Sequence, residues 1–214
     1  MSHVQFITPQ ILHIDTGTMY EVGSLFIRMQ EFYECPDERF RGNYFTLDEY
    51  MDWYAGRHPQ GKFSYFEDWA GFNIPGSSLI KFWKVFTAKE GKLRPKEAEL
   101  FAHIKDFIMN DDPNFYVIGT FAADERTIAH ETRHAQYYLD GDYRQRCDNI
   151  FKELPESVKD PVTLRLLEMG YSDTVVPDET QAYFGTESPS SLKTLFNLKE
   201  SPREWADKFK NVRP

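Results

Sequence analysis

The stretch RTIAHETRHAQYYLDG, residues 126–141, holds two histidines four apart, His130 and His134, with Glu131 directly after the first. On an α-helix, residues i and i+4 lie one turn above each other on the same face, so both imidazoles project toward one point. Two corners of a tetrahedral zinc are supplied in that way. A glutamate beside them can hydrogen-bond a metal-coordinated water without ligating the metal. Zinc lowers the pKa of that water, and the carboxylate takes its proton as the oxygen attacks a carbonyl. The H-E-x-x-H spacing therefore meets a geometrical need as well as matching a string. The plainer alternative is a polar turn of helix whose histidines and glutamate merely face solvent.

A catalytic zinc needs a third protein ligand and one open position. A metzincin pattern would put glycine at 137 and the ligand at 140. Here those residues are Tyr137 and Asp140, and tyrosine does not readily supply the turn that glycine makes. Glu153 and Glu156 lie close by in FKELPESVKD, a stretch broken by Pro155. Glu179, in VPDETQAYF, stands just inside a helix start among small and aromatic residues, the setting of an inward-facing carboxylate. A first-turn acid can equally serve the helix dipole. Glu179 is the preferred third ligand, with Asp140, Glu153 and Glu156 as rivals.

The same sequence signals the elements that must hold these groups. Residues 4–14 are β-branched and extended around a proline, and NFYVIGTF (114–121) reads as a short strand. Helical apolar spacing runs through 23–34, and Thr46 with Glu49 forms a capping box for a helix over about 46–55, stopped by Gly56. IPGSSLIKFWKVFTA predicts a helix with Ser77 or Ser78 near its cap. Residues 94–110 predict one amphipathic helix, with Leu100, Phe101, Ile104, Phe107 and Ile108 on one side. The HETRH helix starts near Asp124 and stops at Gly141. Further starts fall at Asp160–Pro161, Pro177–Asp178, Ser188 and Ser201, the last with Glu204 completing a capping box. The expected fold is α+β and mostly helical, a single domain over 1–214. Within it an aromatic-rich lobe of helices and sheet spans 1–121 and a metal-binding helical lobe spans 122–214.

Composition narrows the function classes. With 214 residues, 41% hydrophobic and 28% charged, the chain suits a globular protein that needs no disulfide or structural metal to build a core. A net charge of −9 argues against broad attraction to nucleic acid or anionic lipid. No apolar run approaches a membrane span, and the N-terminus lacks the basic start and apolar stretch of a signal peptide. A cytoplasmic place of work is expected, although export by a signal-less route would look the same. Cys35 and Cys147 leave room for one disulfide, but a reduced protein is the more economical reading. Aromatic residues concentrate in 20–86; the expectation is a large aromatic core, the sharper alternative a groove lined with rings for an extended ligand.

The pairing of HETRH with a later DETQAYF helix resembles the gluzincin branch of the zincin metallopeptidases. The resemblance covers about residues 115–185, and its specific part is the five-residue motif. It implies zinc held by His130, His134 and Glu179, with Glu131 as general base. The gap from His134 to Glu179 is longer than in the thermolysin type and closer to the anthrax-lethal-factor-like group. In that group a tyrosine shortly before the glutamate helps stabilise the oxyanion. Tyr171 stands at roughly that place, and Tyr183, one turn after Glu179, is its rival. The resemblance also implies a peptide substrate lying beside an edge strand, with NFYVIGTF near the right place in the sheet and the aromatic half forming one wall of a groove.

A metal-bound histidine usually donates its other nitrogen to a carboxylate or carbonyl. Asp173, Asp178 and Glu187 are candidates for that role. Arg133 and Gln136 are expected to face outward or bind a neighbouring loop. His103 reads as a surface or core-edge residue of its helix. His3, His13 and His58 sit in terminal or turn contexts and carry no argument. The alternative function is a zinc-binding protein without turnover, in which the metal stabilises a module that docks a partner.

Overall fold

The computed structural model describes residues 3–88 and 93–213, and the chain is mostly helical with a small mixed sheet. It divides into two compact units, Met1–Ile128 and Ala129–Pro214, each with its own apolar core. Among the described residues no helix is long and apolar enough to cross a membrane.

In the first unit the extended stretch around Pro9 forms two strands, β1 (His3–Thr8) and β2 (Ile11–Thr16), folded back as an antiparallel pair. β3 (Phe72–Pro75) and β4 (Tyr116–Phe121) complete the order β1-β2-β4-β3. β2 and β4 run parallel, while β3 is antiparallel to β4. Alternate residues Leu12, Ile14 and Val117 enter the core beneath α1 (Met19–Glu34). Phe26 of α1 comes so close to the sheet that a Cβ on Gly119 would lie 2.4 Å from its ring. Glycine is what lets helix and sheet meet there.

The capping box forms as expected on α2 (Leu47–Arg57), with Thr46 Oγ1 accepting from Glu49 N at 3.2 Å and the Thr46 N–H donating to Glu49 Oε2 at 2.7 Å. After the short α3 (Tyr65–Asp68), α4 (Gly76–Ala88) follows β3 without a loop, so Gly76 opens the helix ahead of Ser77 and Ser78. The helix expected over 94–110 is two, α5 (Pro95–His103) and α6 (Lys105–Met109). Ile104 leaves helical geometry at φ −109°, ψ 14°, yet stays buried with Leu100, Phe101 and Ile108, so the apolar spacing survives the break. The rings of residues 20–86 chiefly build the core. Phe32, Phe82 and Phe86 pack together, as do Phe40, Phe45, Tyr50 and Tyr65 around them.

That core also contains an ion pair. The Arg28 guanidinium donates from Nε to Glu97 Oε1 at 2.8 Å and from Nη2 to Oε2, while its face lies 4.7 Å from the centroid of Phe86. Glu97 is fully buried, and its carboxylate also accepts the Arg94 backbone N–H at 2.8 Å, tying the start of α5 to α1. Removing the charge of one partner strands the other in a low dielectric. Glu97→Gln is expected to cost about 3 kcal/mol of stability in urea unfolding. A loss below about 1 kcal/mol would show that the pair contributes no more than an exposed one.

The second unit is helical: the boundary falls within α7 (Glu125–Leu139), followed by α8 (Gly141–Glu153), α9 (Glu156–Glu168), a 3-10 turn at Asp173–Val175, α10 (Val176–Thr186), α11 (Pro189–Leu195) and α12 (Arg203–Asn211). Tyr143, Val162, Leu166, Val176, Phe184, Phe196 and Phe209 make its core. Several boundaries differ from the sequence expectation. Gly141 does not end a helix but opens α8, because Asp140 turns its carboxylate onto the N–H groups of Asp142 and Tyr143, each at 2.9 Å. α9 begins at Glu156 behind Pro155, which places Pro161 inside the helix and not at its start. Ser188 caps α11 as expected, whereas α12 starts from Pro202, so Ser201 and Glu204 form no capping box. Both cysteines are free and buried, and burial pushes their thiols up, to about 12 for Cys35 and about 11 for Cys147.

Candidate metal centre

α7 carries His130 and His134 one turn apart, and the spacing does what helical geometry requires: the two Nε2 atoms face each other at 3.3 Å. Opposite them, Pro177 starts α10 and puts Asp178 and Glu179 in its first turn. Glu179 Oε1 lies 3.6 Å from His134 Nε2, and Oε2 lies 3.9 Å from His130 Nε2. Among the described residues, these three form a group whose ligand atoms all fall within 4.8 Å of one another.

The arrangement fits a tetrahedral ion. Ligands at about 2.0–2.1 Å from such a metal stand about 3.4 Å apart. The imidazole nitrogens stand 3.3 Å apart, one Glu179 oxygen lies 3.6 Å from His134 and the other 3.9 Å from His130, all close to that value. The donor set of two imidazoles and a carboxylate suits zinc. His134 is nearly inaccessible at 3% side-chain exposure, Glu179 stands at 10%, and His130 is the most open of the three at 18%.

Asp178 settles which carboxylate supports the ligands: its Oδ1 lies 2.9 Å from His134 Nδ1. That contact leaves Nε2 as the nitrogen with which His134 could ligate an ion. Of the other two candidates, Asp173 is exposed in its 3-10 turn and Glu187 ends α10 as its C-cap. The rival third ligands are also placed elsewhere. Asp140 caps α8, Glu156 is exposed at the start of α9, and the exposed Glu153 stands 3.8 Å from Lys208 Nζ.

The charges of the two histidines separate. Burial, with the neighbouring His134, brings the His130 imidazole down to about 3. Burial also pulls His134 down, but the Asp178 and Glu179 carboxylates outweigh it and hold that imidazole well above its ordinary value. Ligation of an ion through His134 Nε2 would therefore displace a proton.

Glu131 is buried at 7% exposure beside this cluster. Both candidate tyrosines come to the same place. Tyr183 sets its ring edge-on to His130 with centroids 4.7 Å apart, and Tyr171 packs against the same core as Tyr183. Burial pushes both phenols up, and the nearby Glu179 and Glu131 carboxylates add to the rise.

Arg133 does not face outward. Its Nη1 donates to Tyr143 Oη at 2.9 Å and to the Phe209 carbonyl at 3.0 Å. The sequence did not single out Tyr143 and Gln181, which link Arg133 to Asp178 from α8 and α10. The signal available was the three-residue spacing from Asp178 to Gln181, which places the pair on one helix face. His103 is exposed on α5, as expected of a surface histidine. Comparison with family profiles, curated proteins and solved structures finds no match for the chain.

Proposed function

We propose that the chain is a zinc-dependent metallopeptidase with a zincin-like fold and a gluzincin ligand set, His130, His134 and Glu179. The observation that carries this reading is the convergence of the two histidines with a glutamate from a second helix, beside a buried Glu131. A zinc ion held there would supply Lewis acidity, polarising a peptide carbonyl and making a water nucleophilic at neutral pH.

The chain's own residues do the rest. Glu131 takes the proton of the attacking water and hands it to the departing amine, so the peptide C–N bond breaks with no net change in protons on the protein. Asp178 holds His134 in the tautomer that presents Nε2. Tyr183, its ring edge-on to His130, donates its phenol proton to the oxyanion that forms on the carbonyl oxygen, with Tyr171 nearby as the alternative donor. The substrate is a peptide or protein.

The reading is tested by incubating the zinc-loaded protein with a mixture of unfolded proteins and sequencing the new termini by mass spectrometry. Cleavage is expected, abolished by a chelator and restored by added zinc. No new termini across a diverse mixture, with zinc bound, would contradict it.

A further inference from the structure

Behind the ligand cluster, in the second unit, the Asp178–His134 contact continues into a chain of hydrogen bonds that the proposed chemistry does not use. Asp178 Oδ1 meets two donors, His134 Nδ1 at 2.9 Å and Gln181 Nε2 at 2.9 Å. Gln181 Oε1 accepts from Tyr143 Oη at 2.8 Å, and Tyr143 Oη in turn accepts from Arg133 Nη1 at 2.9 Å. Gln181 and Tyr143 are both fully buried.

The direction of this chain is determined from its far end. A guanidinium only donates, so the Tyr143 oxygen is the acceptor there. The phenol proton then falls to Gln181 Oε1, 2.8 Å away. With its oxygen so engaged, the Gln181 amide must turn its NH2 toward Asp178. Arg133 is itself clamped by the Phe209 carbonyl at 3.0 Å, in a slot that exists because residue 185 is glycine. A Cβ at Gly185 would lie 2.3 Å from the guanidinium.

A buried amide stabilises nothing that an apolar side chain of similar volume would not, unless its polar atoms have a task. We propose that Gln181 is a positioning residue for the metal centre. Oriented by Tyr143 and Arg133, it pins the Asp178 carboxylate so that His134 Nε2 points at the ion. The inference rests on the metal reading of His130, His134 and Glu179, and it adds a support that reaches from α10 through α8 to α7.

The test is a double-mutant cycle on zinc affinity, measured by competition with a chromophoric chelator, with the visible absorption of the cobalt-substituted protein as a second readout. Gln181→Met, similar in size but unable to donate, is expected to weaken zinc binding by about tenfold or more and to alter the cobalt spectrum. Asp178→Ala is expected to weaken binding by about 10–100-fold. Added to Asp178→Ala, Gln181→Met should then cost little further affinity, because its effect passes through Asp178. A merely structural role predicts otherwise. Gln181→Met would lower the melting temperature with affinity and cobalt spectrum unchanged, or would cost as much affinity without Asp178 as with it. Either result overturns the inference while leaving the metal centre standing. Wild-type protein that binds neither zinc nor cobalt would overturn both.

Discussion

Glu131→Gln is expected to keep the zinc of the proposed site and to lose peptide hydrolysis by about 10²–10⁴-fold, the usual contribution of a positioned general base. Glutamine matches glutamate in size and leaves His130, His134 and Glu179 untouched, so the ligand cluster is preserved. What disappears is an oxygen basic enough to take a water's proton and later give it to the leaving amine. Zinc content and turnover, measured on the same preparation, separate the two readings of this site. A docking module held together by zinc has no use for a base at this position, and its partner binding would survive the change. Hydrolysis unchanged in Glu131→Gln would remove Glu131 from the mechanism and with it the case for zincin chemistry.

His134→Ala is expected to empty the site. Losing one of only three protein ligands is expected to weaken binding by about two orders of magnitude or more, since each supplies on the order of 3 kcal/mol. His134 is the most heavily supported of the three ligands. Its ring stands between Asp178 at 2.9 Å and Glu179 at 3.6 Å. Without the imidazole both carboxylates lose that polar partner and the buried ring leaves a cavity. The apoprotein of this variant should therefore melt below the wild-type apoprotein as well. His103→Ala, on the exposed side of α5, is the control and should retain wild-type zinc and melting behaviour. Retention of one tightly held zinc per chain in His134→Ala would show that the ion sits elsewhere.

The sequence made the local part of the centre legible and left the long-range part open. His130, Glu131 and His134 belong to one helical turn, so helix geometry alone places them. Glu179 could be singled out because Pro177 and Asp178 announce a helix start, yet nothing local distinguishes a first-turn ligand from a first-turn acid serving the dipole. The choice of Asp178 over Asp173 and Glu187 depends on how α10 meets α7, which no spacing records. The misplaced boundaries have local causes. Gly141 looks like a helix stop, but Asp140 before it is a strong N-cap, and the charged run GDYRQRCDNIFKE shows little apolar signal for α8. Pro161 looks like a first-turn proline, although the helix had already begun at Glu156 behind another proline. In the first unit the capping box on α2 and the apolar face of α5 and α6 were readable from spacing. The break at Ile104 was not, because tertiary burial on both sides of it replaces the helical bond as the stabilising contact.

The central claim, that His130, His134 and Glu179 hold one metal ion, is tested most directly by counting zinc per chain. Wild-type protein and Glu179→Ala are dialysed against a weak chelator and measured by atomic emission. The account predicts one zinc per chain in the wild type and little or none in the variant. Equal retention in both would assign the third ligand to another residue, and no zinc in either would reduce HETRH to a polar turn of helix.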